Sequence, residues 1–164
     1  LDQNGLVNVT GTVNMINLKL TKIPVKFGNV TGSFYCSYNQ LTSLKGCPIR
    51  VGGYFNCFNN QLTSLQGSPT LVGVGFSCSY NKLTTLEGSP TLVGGDFGCS
   101  SNRLTSLQGC PTSVGGDFNC NNNTSLEHIG HLLGCKIGGK IYADHRLLEE
   151  YNSLKNQVIY IWNI

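Results

Sequence analysis

Five of the eight cysteines recur every 21 residues, and a column of thiols in register is a candidate site for a metal or an iron–sulfur cluster. Such sites normally use cysteines paired two residues apart along the chain, and this column contains no such pair. A buried cysteine otherwise behaves as a small hydrophobic residue, so we predict that these thiols are free and pack in a core. The column consists of Cys36, Cys57, Cys78, Cys99 and Cys120.

A second candidate metal site is the short segment that contains His128, His131 and Cys135. These residue types are ligands that zinc accepts, but their spacing does not match a strong zinc signature. We therefore predict surface side chains on an insertion and no cofactor, and the metal alternative stays open. Cys47 and Cys110 stand where sister segments have serine, so no chemistry depends on their sulfur atoms. Reduced thiols in an intracellular protein are the simplest account of the cysteines.

Residues that could support catalysis or nucleic-acid binding are few. Glu149 and Glu150 are adjacent on a predicted helix and face different directions, and no nucleophile elbow, phosphate loop or dinucleotide fingerprint is present. Only 12% of the residues are charged, the net charge is +3, and the single loose basic cluster is Lys19, Lys22 and Lys26. A nucleic-acid-binding surface usually has a stripe of basic residues, so the composition disfavours that partner. No apolar run is long enough to span a membrane. We expect a protein that is not an enzyme.

The residues around each cysteine repeat with the same period, and the unit reads F-x-C-x-x-N-x-L-T-S-L-x-G-x-P-x-x-V-G-G-x in residues 97–117. A fixed period in the twenties indicates a solenoid in which each unit is one turn. The period of two along a strand points Phe and Cys into the core and the residue between them outward. Pro and Gly on the return side exclude a regular helix there. The Asn is predicted to satisfy buried backbone groups of neighbouring turns. It recurs as Asn39, Asn60, Asn81, Asn102 and Asn123.

A Thr-Ser or Thr-Thr pair lies between the two leucines of each unit. A flat array of threonines on a solenoid could bind ice, but these pairs sit at a bend between two core residues. Hydroxyl groups at bends commonly form local hydrogen bonds with the backbone. We therefore predict that these pairs cap the turn.

The repeat defines a single domain over residues 1–164. Residues 1–29 form an N-terminal cap and a degenerate repeat, residues 30–123 form the regular 21-residue repeats, and residues 124–164 form a degenerate last repeat and a C-terminal cap. About seven short parallel strands are expected. The cap is predicted to be a helix followed by a strand at Val158–Trp162, and an exposed strand there could pair with another chain to form an oligomer.

The frame x-F-x-C-x-x-N-x-L-x-x-L resembles the leucine-rich repeat, over roughly residues 9–143. The whole unit is most similar to short-repeat proteins of this family encoded by tailed bacteriophages and some bacteria. The resemblance implies an α/β-type, right-handed solenoid dominated by β-structure, with a non-helical convex side. It also implies a protein-binding platform located in the cytoplasm of a bacterial host or in a virion.

The outward positions of the strands are the candidate binding surface. The early turns carry exposed aromatic residues there, and the later turns carry small, polar and acidic residues. Aromatic side chains grouped on one exposed face are typical of protein-binding sites. We predict a module that binds a protein partner of unknown identity through this concave face; the alternative is a structural or virion protein that assembles through its ends. The predicted binding residues are Tyr35, Tyr38, Tyr54, Phe58, Tyr80, Asp96 and Asp117.

Overall fold

Each 21-residue repeat forms one turn of a parallel β-solenoid, because every copy places the same apolar residues one strand spacing from those of the preceding copy. The computed structural model describes the backbone of residues 3–162 and the side chains of residues 3–156. It contains about six turns followed by one α-helix. The expected class, a solenoid dominated by short parallel strands, is confirmed.

Two parallel sheets of seven strands each run along the solenoid, and successive strands alternate between them. The front sheet contains β2 (Val13–Asn14), β4 (Phe34–Tyr35), β6 (Phe55–Asn56), β8 (Phe76–Ser77), β10 (Phe97–Gly98), β12 (Phe118–Asn119) and β14 (Ile141–Tyr142). The back sheet contains β1 (Val7–Val9), β3 (Phe27–Val30), β5 (Arg50–Val51), β7 (Leu71–Val72), β9 (Leu92–Val93), β11 (Ser113–Val114) and β13 (Lys136–Ile137). A 3-10 helix spans Gly130–Gly134, and α1 spans His145–Trp162.

The back sheet is the main departure from the sequence prediction, which counted about seven strands where the structure has fourteen. The sequence predicted a return side that is extended or turn-like rather than helical, but it did not predict paired strands in the V-G-G segment. Its first glycine allows strand pairing, because a Cβ atom at Gly94 would lie 2.1 Å from the carbonyl oxygen of Gly73 in the preceding turn. Without that atom the two segments approach closely, and the Gly94 N–H donates to the Val72 carbonyl at 2.9 Å. Every residue of the regular repeats is described and none is helical, so the non-helical return side is confirmed.

The C-terminal cap is a helix without the strand that the sequence predicted. The Asp144 carbonyl accepts hydrogen bonds from the N–H groups of Leu147 and Leu148, and the helix then continues through Val158–Trp162. This segment has no glycine or proline to end the helix, and extending an existing helix costs much less free energy than starting a new one. The side chains of residues 158–162 lie outside the described side chains. The predicted oligomer contact required a strand in this segment, and the segment is helical instead.

The core contains columns of phenylalanine, cysteine, leucine and valine side chains that follow the repeat. Adjacent phenylalanine rings lie nearly parallel with centroids 5.1–5.6 Å apart, and the cysteine column is buried in the same core. All eight cysteines are free, as predicted. The stacked rings are those of Phe34, Phe55, Phe76, Phe97 and Phe118.

The asparagine column joins each turn to the preceding one, as predicted. The Asn60 Nδ2 group donates to the carbonyl oxygens of Cys36 at 3.0 Å and Cys57 at 3.1 Å. Its Oδ1 atom accepts a hydrogen bond from the Leu41 N–H at 2.9 Å. The other four asparagines make the equivalent contacts, so one amide side chain per turn satisfies buried groups on two turns.

The hydroxyl pairs at the bend act as local caps. The Ser43 Oγ atom accepts a hydrogen bond from the Lys45 N–H at 3.1 Å, and Ser64 and Ser106 make the same contact with the N–H two residues later. The predicted capping role is therefore confirmed for these serines.

Candidate binding face

Three aromatic side chains from consecutive turns contact one another just after β4, β6 and β8. The ring centroids of Tyr38 and Phe58 are 5.3 Å apart, and those of Phe58 and Tyr80 are 4.9 Å apart. Tyr38 and Tyr80 are 52% and 53% exposed, and Phe58 is half-buried between them. These three residues, here called the aromatic ladder, form a continuous exposed strip across three turns.

The two tyrosines of the ladder occupy a backbone conformation that large residues seldom adopt. Their φ angles are 56° for Tyr38 and 57° for Tyr80, in the left-handed region. The same position carries Asn59, Ser101 and Asn122 in the other regular turns. A residue with a side chain costs about 1 kcal/mol or more in this conformation, and asparagine tolerates it best. The turn therefore accepts small polar residues and does not require an aromatic side chain.

A groove of 430 Å³ lies on the outer face of the front sheet. Tyr35 and Tyr54 line it in the early turns, and Tyr142 lines it in the last turn. Tyr35 is in β4 and Tyr142 is in β14, so five strand spacings, roughly 24 Å, separate the two ends. Between them Gly75 and Gly98 contribute no side chain, which creates the depression. The polar residues that line it are Asn56, Ser77, Asp96, Asp117 and Asn119.

The Tyr54 ring covers Gly75 of the next turn in this groove. The residue directly precedes β6, and its N–H donates to the Ser33 Oγ atom at 3.0 Å, which ties it to the preceding turn. A Cβ atom at Gly75 would lie 2.9 Å from the ring carbon Cε1 of Tyr54, so only glycine leaves room for the ring there. Tyr54 remains 51% exposed. The groove thus contains a half-exposed aromatic side chain.

Two carboxylates occupy the same repeat position as Tyr54, directly before β10 and β12. The Asp96 Oδ1 atom accepts a hydrogen bond from the Asp117 N–H at 2.8 Å, and the Asp117 Oδ1 atom accepts one from the Lys140 N–H at 2.7 Å. No described residue donates a hydrogen bond to the second oxygen of either carboxylate, and neither forms an ion pair within the described chain. The backbone contacts hold both groups in place with one oxygen still available.

The structure divides the seven predicted binding residues into two sets on one side of the solenoid. Four of them line the groove and three form the aromatic ladder. Sequence reasoning missed Tyr142, which pairs in register with Asn119 and matches Tyr35 in the repeat. The sequence aligns Tyr142 with Asn119 at a spacing of 23 residues, but it does not show that the groove extends to the last turn. The groove residues are Tyr35, Tyr54, Asp96 and Asp117, and the ladder residues are Tyr38, Phe58 and Tyr80.

Four of the five thiols in the cysteine column have low reactivity. Burial is the main reason that the pKa values of the Cys57, Cys78 and Cys99 thiols lie above the usual range, and burial with the charge of Asp144 raises the pKa of Cys120 to about 12. The thiols are therefore protonated at neutral pH, the form that neither attacks electrophiles nor binds metals readily.

The histidine segment is also described. The ring centroids of His128 and His131 are 6.4 Å apart, and burial followed by the charge of Cys110 raises the pKa of Cys135 to about 11. Within the described residues, no group of three or more His, Cys, Asp or Glu side chains is placed to hold a metal ion.

None of the protein-family models, curated proteins and solved structures that were compared with the chain matches it. Over residues 3–162, no helix has both the length and the apolar character that a membrane span requires. Arguments about function therefore rest on the geometry of the front face.

Proposed function

We propose that this protein is a non-enzymatic module that binds a protein partner through the outer face of the front sheet. The observation that carries the proposal is the concentration of exposed aromatic residues there, in the aromatic ladder and at the groove. Aromatic anchors supply most of the binding energy at many protein interfaces. The asparagine column supports assigning the solenoid to the leucine-rich-repeat class, whose members serve as binding platforms. A phage protein that acts on a bacterial host factor fits this proposal.

The backbone of the ladder gives further support. Sister turns fold with Asn59 or Ser101 at the left-handed position, so Tyr38 and Tyr80 add strain that the fold does not need. A position equivalent to Phe58 carries Ser79 in the next turn. Residues that cost stability and remain exposed are better explained by contact with a partner than by packing.

The test replaces ladder residues with the residues of sister turns. A Tyr38→Ser/Phe58→Ser variant keeps the backbone conformation, because serine occupies the equivalent positions elsewhere. The matched control is Ile49→Ser/Leu92→Ser, which removes two exposed apolar residues (49% and 44% exposed) near or on the back sheet. Each tagged variant is used to capture proteins from bacterial lysate, and the captured proteins are quantified by mass spectrometry.

We expect the ladder variant to lose specific partners that the wild type and the control both retain. Loss of one buried aromatic anchor typically weakens binding by more than about 2 kcal/mol, or roughly 30-fold. Equal capture by all three proteins would reject the ladder as a binding surface.

A second candidate function, assembly through the ends of the solenoid, is favoured by its open sheet edges. Strands β1 and β2 at one end, and β13 and β14 at the other, pair on one side only. Unpaired strand edges are templates for association with another chain. Light scattering over a range of concentrations tests this function, and a mass that stays monomeric throughout would remove it.

A further inference from the structure

We propose that the groove of the front sheet binds the side chain of an arginine in an extended segment of the protein partner. This inference rests on the proposed function and names the chemistry that the groove would recognise. It depends on three features of the groove. They are its exposed aromatic side chains, its two carboxylates held by backbone hydrogen bonds, and its elongated shape.

The aromatic surface suits a planar cation. The Tyr54 ring lies over Gly75, the residue is half exposed, and Tyr35 and Tyr142 line the same groove. A guanidinium group stacks on aromatic rings through cation–π attraction and planar contact, and it is less strongly hydrated than an ammonium group. A neutral apolar side chain would gain the contact but not the electrostatic attraction.

The carboxylates provide the complementary charge. Asp96 and Asp117 line the groove, and each has one oxygen fixed by a backbone N–H of the next turn. The other oxygen of each receives no hydrogen bond and no ion pair from the described residues. Lys140 follows in the same column, and its backbone N–H, rather than its side chain, contacts Asp117. Arginine pairs with carboxylates through two parallel hydrogen bonds, so the groove offers both a stacking surface and hydrogen-bond acceptors.

The shape of the groove favours a side chain on an extended segment. The groove follows the solenoid axis for roughly 24 Å, a length that about seven residues of extended chain would span. Its volume of 430 Å³ is too small to enclose a folded element. An extended segment lying along the groove could place an arginine over Gly98, against the exposed part of the Tyr54 ring and beside the two carboxylates.

The test uses a defined peptide, so that it does not depend on finding the partner. Acetyl-Gly-Gly-Arg-Gly-Gly-amide is titrated into the ¹⁵N-labelled protein, and amide chemical shifts are recorded. The comparison peptide replaces arginine with citrulline, which keeps the shape and removes the charge. We expect shifts at Gly75, Gly98, Asp96 and Asp117, and affinity for the arginine peptide at least about fivefold above that for citrulline. Raising the salt from 20 to about 300 mM should weaken the arginine peptide alone.

Protein variants show whether the carboxylates are responsible. In Asp96→Asn/Asp117→Asn the Oδ1 acceptors remain, so the turns keep their backbone hydrogen bonds while both charges are removed. We expect about three- to tenfold weaker binding of the arginine peptide. The control Glu87→Gln/Glu127→Gln makes the same change in net charge at two exposed residues outside the groove, and should bind as the wild type does.

Three outcomes would overturn the inference: no shifts in the groove, equal affinity for the citrulline peptide, or equal weakening in the control variant. Binding of neutral oligosaccharides at the groove with no response to arginine would also contradict it. Any of these results leaves the proposed protein-binding function intact if the ladder variant still loses its partners.

Discussion

Replacing Asn81 with alanine removes one member of the asparagine column from the middle of the solenoid. Its Nδ2 group donates to the carbonyl oxygens of Cys57 at 3.1 Å, Cys78 at 3.0 Å and Ser79 at 3.3 Å. Its Oδ1 atom accepts the Leu62 N–H at 3.0 Å. The side chain is only 9% exposed, so water cannot readily replace these contacts in the intact core.

The cost follows from what each backbone group retains. The Leu62 N–H has no other partner, and an unsatisfied buried donor costs about 1–3 kcal/mol. The carbonyl of Cys57 keeps the Nδ2 group of Asn60, and the carbonyl of Cys78 keeps that of Asn102. Losing the Asn81 hydrogen bond at each of these two carbonyls costs about 0.5–1.5 kcal/mol of stability, because another partner remains. We therefore expect the free energy of unfolding to fall by about 2–6 kcal/mol.

The assay is urea unfolding followed by circular dichroism, with thermal unfolding alongside. For a protein of this size the expected loss corresponds to a midpoint lower by about 5–15 °C. Gln61→Ala is the control, because this residue is exposed and only its backbone N–H is bonded; it should change stability by less than about 0.5 kcal/mol. An Asn81→Ala protein within 1 kcal/mol of the Gln61→Ala protein would refute the role assigned to the column.

Three further predictions test the core and the close stacking of turns. Gly94→Ala should lower the free energy of unfolding in urea by more than about 2 kcal/mol, because the added Cβ would collide with the Gly73 carbonyl. Gly134→Ala should leave stability unchanged, because no atom lies within 4 Å of the Cβ position there. Equal stabilities of the two variants would contradict this prediction. Stability should fall as pH rises above about 9, because the unfolded chain releases thiol protons that the buried Cys57, Cys78 and Cys99 hold, each of these thiols adding a slope of about 1.4 kcal/mol per pH unit; a urea midpoint unchanged between pH 7 and 10.5 would exclude this effect. A thiol reagent at pH 7.5 should label the half-buried Cys110 and Cys135 well before the column, and uniform labelling in the native state would contradict the burial described.

The regular turns were predictable because the features of each repeat all indicate the same structure. The alternation of Phe and Cys places both residues in the core, and the asparagine has a role that only adjacent turns can satisfy. The back sheet was missed because its strands in the regular repeats are two residues long and contain a single buried apolar residue, such as Val93, next to glycines that usually indicate a turn. Pairing there depends on the distance between turns, which a single repeat does not reveal.

The ends and the groove depend on tertiary context. Val158–Trp162 contains β-branched and aromatic residues that favour a strand, but the preceding helix continues because no glycine or proline ends it. The groove exists because Gly75 leaves room for the ring of Tyr54 from the preceding turn and Gly98 contributes no side chain. The sequence identified most of the aromatic and acidic residues, but only the stacked turns bring Tyr142 into the same depression.

The most direct test of binding through the front sheet is site-specific photo-crosslinking from the two faces of the solenoid. Ser77 in β8 and Ser113 in β11 are half-buried serines on strands of the front and back sheets, so each can be replaced with p-benzoylphenylalanine as a matched pair. The proposed function predicts a crosslinked partner in bacterial lysate from position 77 and none from position 113. Crosslinks of equal yield from both positions, or from position 113 alone, would contradict it.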